Sequence, residues 1–138
     1  MQNPNIIYVP PPDDGKKHRH GCVTAWLILM LVANSITALF YLFGSEWLAS
    51  KLPGDQPPGM FMLLAGIGVV NVILSFMLWN WKKWGFYGFA ISGVVTVFIN
   101  ISLELGVGQS LFGLIGIGIL YGILQIKERG KTAWENLE

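Results

Sequence analysis

The sequence predicts an all-α polytopic membrane protein, with four transmembrane helices in an up-down bundle and both termini in the cytoplasm. Two observations lead to this prediction. Four long runs of the chain contain no charged residue, and nearly all lysines and arginines fall on one side of the resulting topology. The composition agrees, because 53% of the residues are hydrophobic and only 12% are charged, whereas a typical soluble domain is about 25% charged.

Each charge-free run is long enough to cross a bilayer once. The runs cover residues 21–45, 56–81, 84–103 and 105–126. A helix rises about 1.5 Å per residue, so about 20 residues cross a hydrocarbon core of roughly 30 Å. The runs lack the polar and apolar alternation of β-barrel strands, and together they exceed what the core of a small soluble protein needs. We therefore expect a transmembrane domain over 21–126, with helices near 21–43, 59–80, 84–104 and 108–126.

The distribution of basic residues predicts the orientation. Eight of the nine lysines and arginines lie in the two tails and in the connection between helices 2 and 3, and only Lys51 lies on the opposite side. With four crossings those three segments share one side of the membrane. The positive-inside rule makes that side cytoplasmic. The expected location is a bacterial cytoplasmic (inner) membrane, with a multi-pass chain whose N and C termini both lie inside.

The two tails are predicted to differ in order. Residues 1–20 combine a run of prolines with a basic patch and show no apolar periodicity, so we expect a disordered cytoplasmic tail. Residues 127–138 form the second cytoplasmic tail. There we expect helix 4 to continue to Gly130. A short turn would follow, with Thr132 as its cap and Glu135 at the spacing of a capping box.

Aromatic and basic residues mark the cytoplasmic membrane boundary between helices 2 and 3. Indole rings favour the headgroup layer, where an apolar ring with one polar edge meets both environments. Lysine side chains reach the same layer by extending towards water. The predicted interface anchors are Trp79, Trp81, Lys82, Lys83 and Trp84.

Small residues indicate where the helices pack. Glycine, serine and threonine allow membrane helices to approach closely. Helix 3 repeats such residues every four positions, on one helical face, and helix 4 carries two glycines at GxxxG spacing. The packing candidates are Gly88, Ser92, Thr96, Gly118 and Gly122.

Polar side chains within the helices allow a second interpretation. Polar groups are costly in lipid and often serve a function there. A polar pathway between the helices would be lined by Asn34, Asn71, Asn100 and Glu104. Glu104 lies at the edge of its run, where water can solvate it, whereas proton-coupled carboxylates usually lie near the midplane. Packing and pathway both remain open at this point.

No catalytic, cofactor or metal motif is found in the sequence. Cys22 is the single cysteine, and the two histidines, His18 and His20, lie in the N-terminal tail. Phosphate-binding and dinucleotide-binding glycine motifs are missing. A net charge of +1 makes no case for a nucleic-acid partner. We therefore expect no enzyme activity, no cofactor and no metal.

These features predict a non-enzymatic integral membrane protein. Its expected role is structural or accessory, as a compact bundle that interacts with the lipid bilayer and with itself or another membrane protein. The alternative is a small oligomeric transporter or channel built around the polar side chains.

Two segments carry a resemblance to known proteins. The stretch Trp81-Lys-Lys-Trp-Gly-Phe-Tyr-Gly-Phe89 and the tail Lys131-Thr-Ala-Trp-Glu-Asn-Leu137 resemble features of small, uncharacterised bacterial four-helix integral membrane proteins. That resemblance implies a bacterial membrane and no particular activity. The size and helix count are also similar to those of small multidrug transporters. Those proteins rely on a glutamate within the first helix, and the expected first helix here has no acid, which counts against a transporter of that kind.

Overall fold

The computed structural model describes residues 15–51, 57–104 and 107–138. Within these ranges the chain is helical apart from one two-stranded hairpin, so the predicted all-α class is confirmed. The elements are α1 (Gly21–Lys51), α2 (Pro58–Trp79), α3 (Trp84–Ser102), α4 (Val107–Leu124), β1 (Lys127–Glu128) and β2 (Lys131–Thr132). The disorder predicted for the N-terminal tail lies outside the described residues over 1–14.

The first helix is longer than predicted. It continues without a break from Gly21 to Lys51, past the expected end at residue 43. The extension is held by packing, because Leu48 and Ala49 contact a buried cluster that contains Phe61. Tertiary contact therefore extends the helix beyond the charge-free run, which ends at residue 45.

The other helices begin and end close to the predicted residues. Pro58 occupies the start of α2, where its fixed φ suits the first helical turn and its missing N–H costs nothing. Helix α3 ends at Ser102, so Glu104 lies beyond it, with a positive φ of 54°. Helix α4 ends at Leu124, so the prediction that it continues to Gly130 was wrong.

Consecutive helices pack side by side, and α4 returns to contact α1. Short connections between packed helices make them antiparallel neighbours. Helix α1 approaches α2 closely at Gly68, where an added Cβ would lie 2.8 Å from the Cβ of Ala38 and 3.1 Å from its Cα. Only a glycine allows the two backbones to come this near.

Glycines on α3 create the next two contacts. An added Cβ at Gly85 would lie 2.8 Å from the carbonyl oxygen of Leu74 on α2. At Gly88 it would lie 2.3 Å from the Cδ2 of the same leucine. At Gly93 it would lie 2.5 Å from the Cδ1 of Ile117 on α4. The predicted role of Gly88 in helix packing agrees with this geometry, and Gly85 and Gly93 act in the same way.

The surface is apolar and the interior carries polar groups. Phe43 is 82% exposed and Phe112 is 74% exposed, whereas Ser75 and Asn100 are buried. Water would penalise such a surface, since large exposed apolar patches are rare on soluble monomers. Within the described residues, α1, α2 and α3 are long and apolar enough to span a membrane, and α4 contains a shorter apolar helix over Leu111–Leu124.

Residues 127–138 form an ordered unit, which we call the cap. Strands β1 and β2 pair antiparallel, with Lys127 opposite Thr132. Arg129 and Gly130 form the turn between them, with φ values of 53° and 89°. Two successive positive φ values are characteristic of a two-residue hairpin turn. Gly130 therefore forms part of a hairpin turn, and the prediction that it ends helix 4 was wrong.

The cap is fastened to one end of the bundle, the cap end. Ala133 and Leu137 are 2% and 6% exposed and join a buried cluster with residues of all four helices. The backbone N–H of Trp134 donates to the carbonyl oxygen of Leu124 at 2.9 Å. Its indole ring lies edge-on to the Phe86 ring, with 5.1 Å between the ring centroids. What was expected to be a tail is thus part of the core.

The capping box predicted inside this segment is present. The backbone N–H of Thr132 donates to Glu135 Oε2 at 2.7 Å, and the N–H of Glu135 donates to Thr132 Oγ1 at 3.1 Å. These reciprocal bonds hold the pKa of Glu135 below its usual value, mainly through the backbone N–H of Thr132.

Candidate functional site

Residues of all four helices line a cavity of about 290 Å³. It lies midway along the bundle, where the small residues of α3 and α4 leave space between the helix backbones. The described residues that line it are Trp26, Met30, Asn34, Thr37 and Tyr41 of α1; Leu64, Ile67, Gly68 and Asn71 of α2; Phe89, Ser92, Gly93, Thr96 and Asn100 of α3; and Phe112, Gly113, Gly116 and Ile117 of α4.

The cavity brings together three of the four residues proposed for a polar pathway. Asn34, Asn71 and Asn100 come from three different helices, and all of them line it. The packing candidates Ser92 and Thr96 line the same space. The sequence separated these residues into a packing set and a pathway set, whereas the structure places members of both sets around one site.

Hydrogen bonds hold the polar side chains of the cavity in place. The hydroxyl of Ser92 donates to Asn71 Oδ1 at 2.6 Å, which links α3 to α2. The Asn34 amide donates to the carbonyl oxygen of Met30 at 2.7 Å, and the Thr96 hydroxyl donates to the carbonyl oxygen of Ser92 at 2.8 Å. Inside a low-dielectric bundle such bonds fix side-chain orientation, because an unpaired polar group there is costly.

One polar atom beside this site has no partner. Trp26 lines the cavity, and its indole Nε1 is buried without a hydrogen-bond acceptor in the described part of the chain. A buried, unpaired N–H costs on the order of 1–3 kcal/mol. An acceptor atom from outside the chain would remove that cost.

The lining contains amides, hydroxyls and apolar groups but no ionisable carboxylate, amine or imidazole among the described residues. A charged guest would lose its hydration without gaining an opposite charge, which is unfavourable by several kcal/mol. An uncharged guest could accept or donate hydrogen bonds with the amides while its carbon atoms contact Phe89 and Ile117. The arrangement suits binding of a neutral molecule.

Apolar clusters lie towards both ends of the cavity. Towards the cap end lies the buried cluster formed by Val23, Leu27, Leu74, Leu78, Phe89, Leu120, Leu124, Ala133 and Leu137. Towards the far end, where α1 ends and α2 begins, Phe61, Leu64 and Leu103 form a second cluster. The buried members that the structure describes in both clusters are hydrophobic, so they offer no polar side chain that would lead an ion or water from the bundle end to the amides.

The remaining pathway candidate does not join the site. Glu104 is exposed and lies in the turn beyond α3, outside the cavity lining. Its backbone φ of 54° belongs to the left-handed region that ends many helices. The structure therefore gives this carboxylate a position at the far surface of the bundle.

The helix 4 packing candidates face outward. Gly118 and Gly122 are exposed, and a Cβ added to either would meet no described atom within 4 Å. In a single copy of the chain they therefore make no helix–helix contact, because this side of α4 points away from the other three helices. A role in packing against a second membrane protein stays a prediction.

The interface anchors divide into two groups. Trp79 and Trp84 project outward, at 43% and 71% exposure. Trp81 has a φ of 63° and packs inward, with the Arg19 guanidinium carbon 4.2 Å from its ring centroid. Lys83 lies over Trp134 of the cap, with its Nζ 5.0 Å from the ring centroid. Trp81 and Lys83 are thus engaged within the protein.

Basic residues lock the N-terminal segment to this end of the bundle. Arg19 donates to the carbonyl oxygen of Trp79 at 2.8 Å and satisfies the end of α2. Burial lowers the pKa of Arg19. Lys17 pairs with Glu138 of the cap, and this contact holds the pKa of Glu138 below its usual value. Lys82 Nζ lies 3.9 Å from the same carboxylate.

Sequence reasoning missed several members of the site. Trp26, Met30, Asn34, Thr37 and Tyr41 recur at spacings of three and four along α1 and so share one face. The helical spacing of these aromatic and polar residues was the signal that could have revealed the α1 wall of the cavity.

Comparison with known proteins adds no identification. No family model matches the chain, no curated protein matches it, and no solved structure matches its fold. Among the described residues, no group of three or more histidine, cysteine or acidic side chains is placed to hold a metal ion. The class that the structure supports is a helical protein with three helices long and apolar enough to span a membrane.

Proposed function

We propose that this chain is an integral protein of a bacterial cytoplasmic membrane that crosses the bilayer four times, with both termini inside. The apolar exterior of the bundle supports this. Helix α4 has 18 residues, or about 27 Å at 1.5 Å per residue, which is near the thickness of the hydrocarbon core. The cap end carries Arg19, Lys82 and Lys127, in agreement with a cytoplasmic location.

Within that membrane, the bundle acts without catalysis, as an accessory protein that binds a small uncharged molecule. The observation that carries this proposal is the convergence of Asn34, Asn71 and Asn100 on one charge-free cavity. At about 290 Å³ the cavity has the volume of roughly ten molecules of liquid water and lies at the small end of ligand pockets. Apolar walls with a few convergent polar groups are typical of such pockets.

Binding can be tested with 4-fluorobenzyl alcohol, an uncharged probe with one hydroxyl, followed by fluorine NMR on protein in lipid nanodiscs. The native protein should show a saturable shift or broadening of the fluorine signal. Gly116→Leu should weaken binding at least tenfold, because Gly116 lines the cavity and no neighbouring atom obstructs a side chain there. Gly66→Leu is the matched control, since the same change is made at an exposed glycine of α2 that lies outside the cavity lining. Equal binding by both variants would refute the proposal.

A second candidate function is transport by a small channel or carrier. The three amides around one cavity favour it, because a polar lining lowers the cost of passage for a polar solute. The apolar clusters at both ends oppose it in this conformation. A liposome flux assay with Asn100→Leu and Glu104→Gln distinguishes the two functions: transport requires flux through the native protein that falls in the Asn100 variant.

The same proposal includes association with a partner in the membrane. The outward face of α4 with Gly118 and Gly122 is shaped for close helix contact, either with a second copy or with another membrane protein. We include no nucleic acid among the partners, as the basic residues near the cap pair with Glu138 or stack on indole rings.

A further inference from the structure

The cavity is open on one side only among the described residues. Of the residues that line it, those of α2 and α3 are buried or half-buried. The exposed ones are Thr37 on α1 and Phe112 and Gly113 on α4. Of the contacts α1–α2, α2–α3, α3–α4 and α1–α4, the last is the smallest. The opening therefore lies between α1 and α4.

This opening lies at the level of the lipid chains. Thr37 is 16 positions after Gly21, or about 24 Å along α1, and Phe112 is five positions after Val107, or about 8 Å along α4. Both positions lie within the apolar helices and are flanked by exposed apolar side chains such as Ile36 and Leu111. A molecule in water would have to cross one of the apolar end clusters, whereas a molecule dissolved in the bilayer meets the opening directly.

We propose that the cavity takes an uncharged amphiphile from the bilayer through this opening: a hydrocarbon chain that ends in a hydroxyl, carbonyl or amide group. This inference rests on the proposed binding function and adds the class of ligand and its route. The polar end enters between α1 and α4 and reaches the amides. The hydrocarbon chain remains between Thr37 and Phe112, in contact with lipid.

The polar contacts define the end group. Asn34, Asn71 and Asn100 offer amide donors and acceptors in the interior, and the buried indole N–H of Trp26 lacks an acceptor. An end group with an oxygen acceptor matches both features. A carboxylate or an ammonium does not, because the described lining holds no opposite charge.

The experiment uses a ten-carbon alcohol that carries a diazirine on its chain, with protein in lipid nanodiscs. On illumination, saturable cross-links should form on α1 and α4 peptides that contain Thr37 and Phe112, and unlabelled decanol should compete with them. Decanoate and decyltrimethylammonium should compete at least tenfold less well, since each carries a charge. Gly116→Leu should abolish the saturable component, and Gly66→Leu, at an exposed glycine of α2 outside the cavity lining, should retain it.

The possible results separate this inference from the binding function. Cross-links that do not saturate, or that are unaffected by Gly116→Leu, overturn the lateral route. Binding of 4-fluorobenzyl alcohol without saturable labelling by the long-chain probe means that the ligand is enclosed, so the route is wrong while the binding function stands. Equal competition by decanoate overturns the assignment of an uncharged end group. If neither probe binds to the native protein, both proposals are contradicted.

Discussion

A substitution at Gly68 tests the packing of the first two helices most directly. The Cβ of Gly68→Ala would lie 2.8 Å from the Cβ of Ala38. Carbon atoms pack best at about 3.5–4.0 Å, so the helices must separate locally by roughly 0.7–1.2 Å. A gap of 0.5–1 Å already loses a quarter to a half of the dispersion energy of the atoms that face it. Overpacking of this kind typically costs about 1–3 kcal/mol.

We therefore expect Gly68→Ala to lower the free energy of unfolding by about 1–3 kcal/mol, measured by equilibrium unfolding in mixed detergent micelles. Gly66→Ala, on the exposed side of the same helix, has no neighbouring atom within 4 Å and should change stability by less than about 0.5 kcal/mol. Ala38→Gly combined with Gly68→Ala should recover part of the loss. Equal effects of the two single substitutions would refute this account of the α1–α2 contact.

Three further predictions concern the cap and the outer face of α4. Leu137→Ala should cost about 2–5 kcal/mol, because the side chain is 6% exposed in the core, and an unchanged thermal midpoint in detergent would contradict this. The lowered pKa of Glu138 means that its contribution to stability is complete above its usual pKa of 4.5 and is lost as the pH falls through the lowered value. The hydrogen-exchange protection factors of cap amides, which correct for the intrinsic pH dependence of exchange, should accordingly fall in acid, and Lys17→Met should reduce that fall. Gly118→Leu with Gly122→Leu should leave the stability of a single copy unchanged but reduce association in lipid, as measured by energy transfer between labelled copies, whereas retained association would exclude this face.

The helices could be predicted from sequence because a long run without charged residues indicates a segment with apolar surroundings. Where a boundary depended on solvent alone, as for α3 near Trp84, the prediction was close. Where a helix boundary depended on tertiary contact, the prediction of that boundary failed. The end of α1 is set by packing of Leu48 against Phe61, a contact between segments that no local pattern reveals.

The cap shows a similar limit. The spacing of Thr132 and Glu135 predicted a capping box, which the structure contains. The sequence nevertheless predicts a cytoplasmic tail over residues 127–138. Ala133 and Leu137 are four residues apart and insert into the core, but two apolar residues among charged ones are too weak a signal to indicate docking.

The cavity was predictable in its parts and not as a whole. Asn34, Asn71 and Asn100 stood out because amides are costly in lipid. That they meet depends on the rotation of each helix about its axis. Close approaches to backbone atoms at Gly68 and Gly85 restrict those rotations, and a glycine within an apolar run does not show which of its neighbours it will contact.

The position of the cap in the chain imposes an order on assembly. During synthesis at about 5–20 residues per second, residue 131 follows residue 51 by on the order of 4–16 s. Over that interval α1 can already pair with α2 through Ala38 and Gly68, while Val23 and Leu78 still lack the cap residues that cover them in the finished protein. Before the cap is made, the nascent bundle is therefore packed at its far end while the core at its cap end is still uncovered. Membrane insertion factors and proteases would encounter the chain in this state before the mature protein exists.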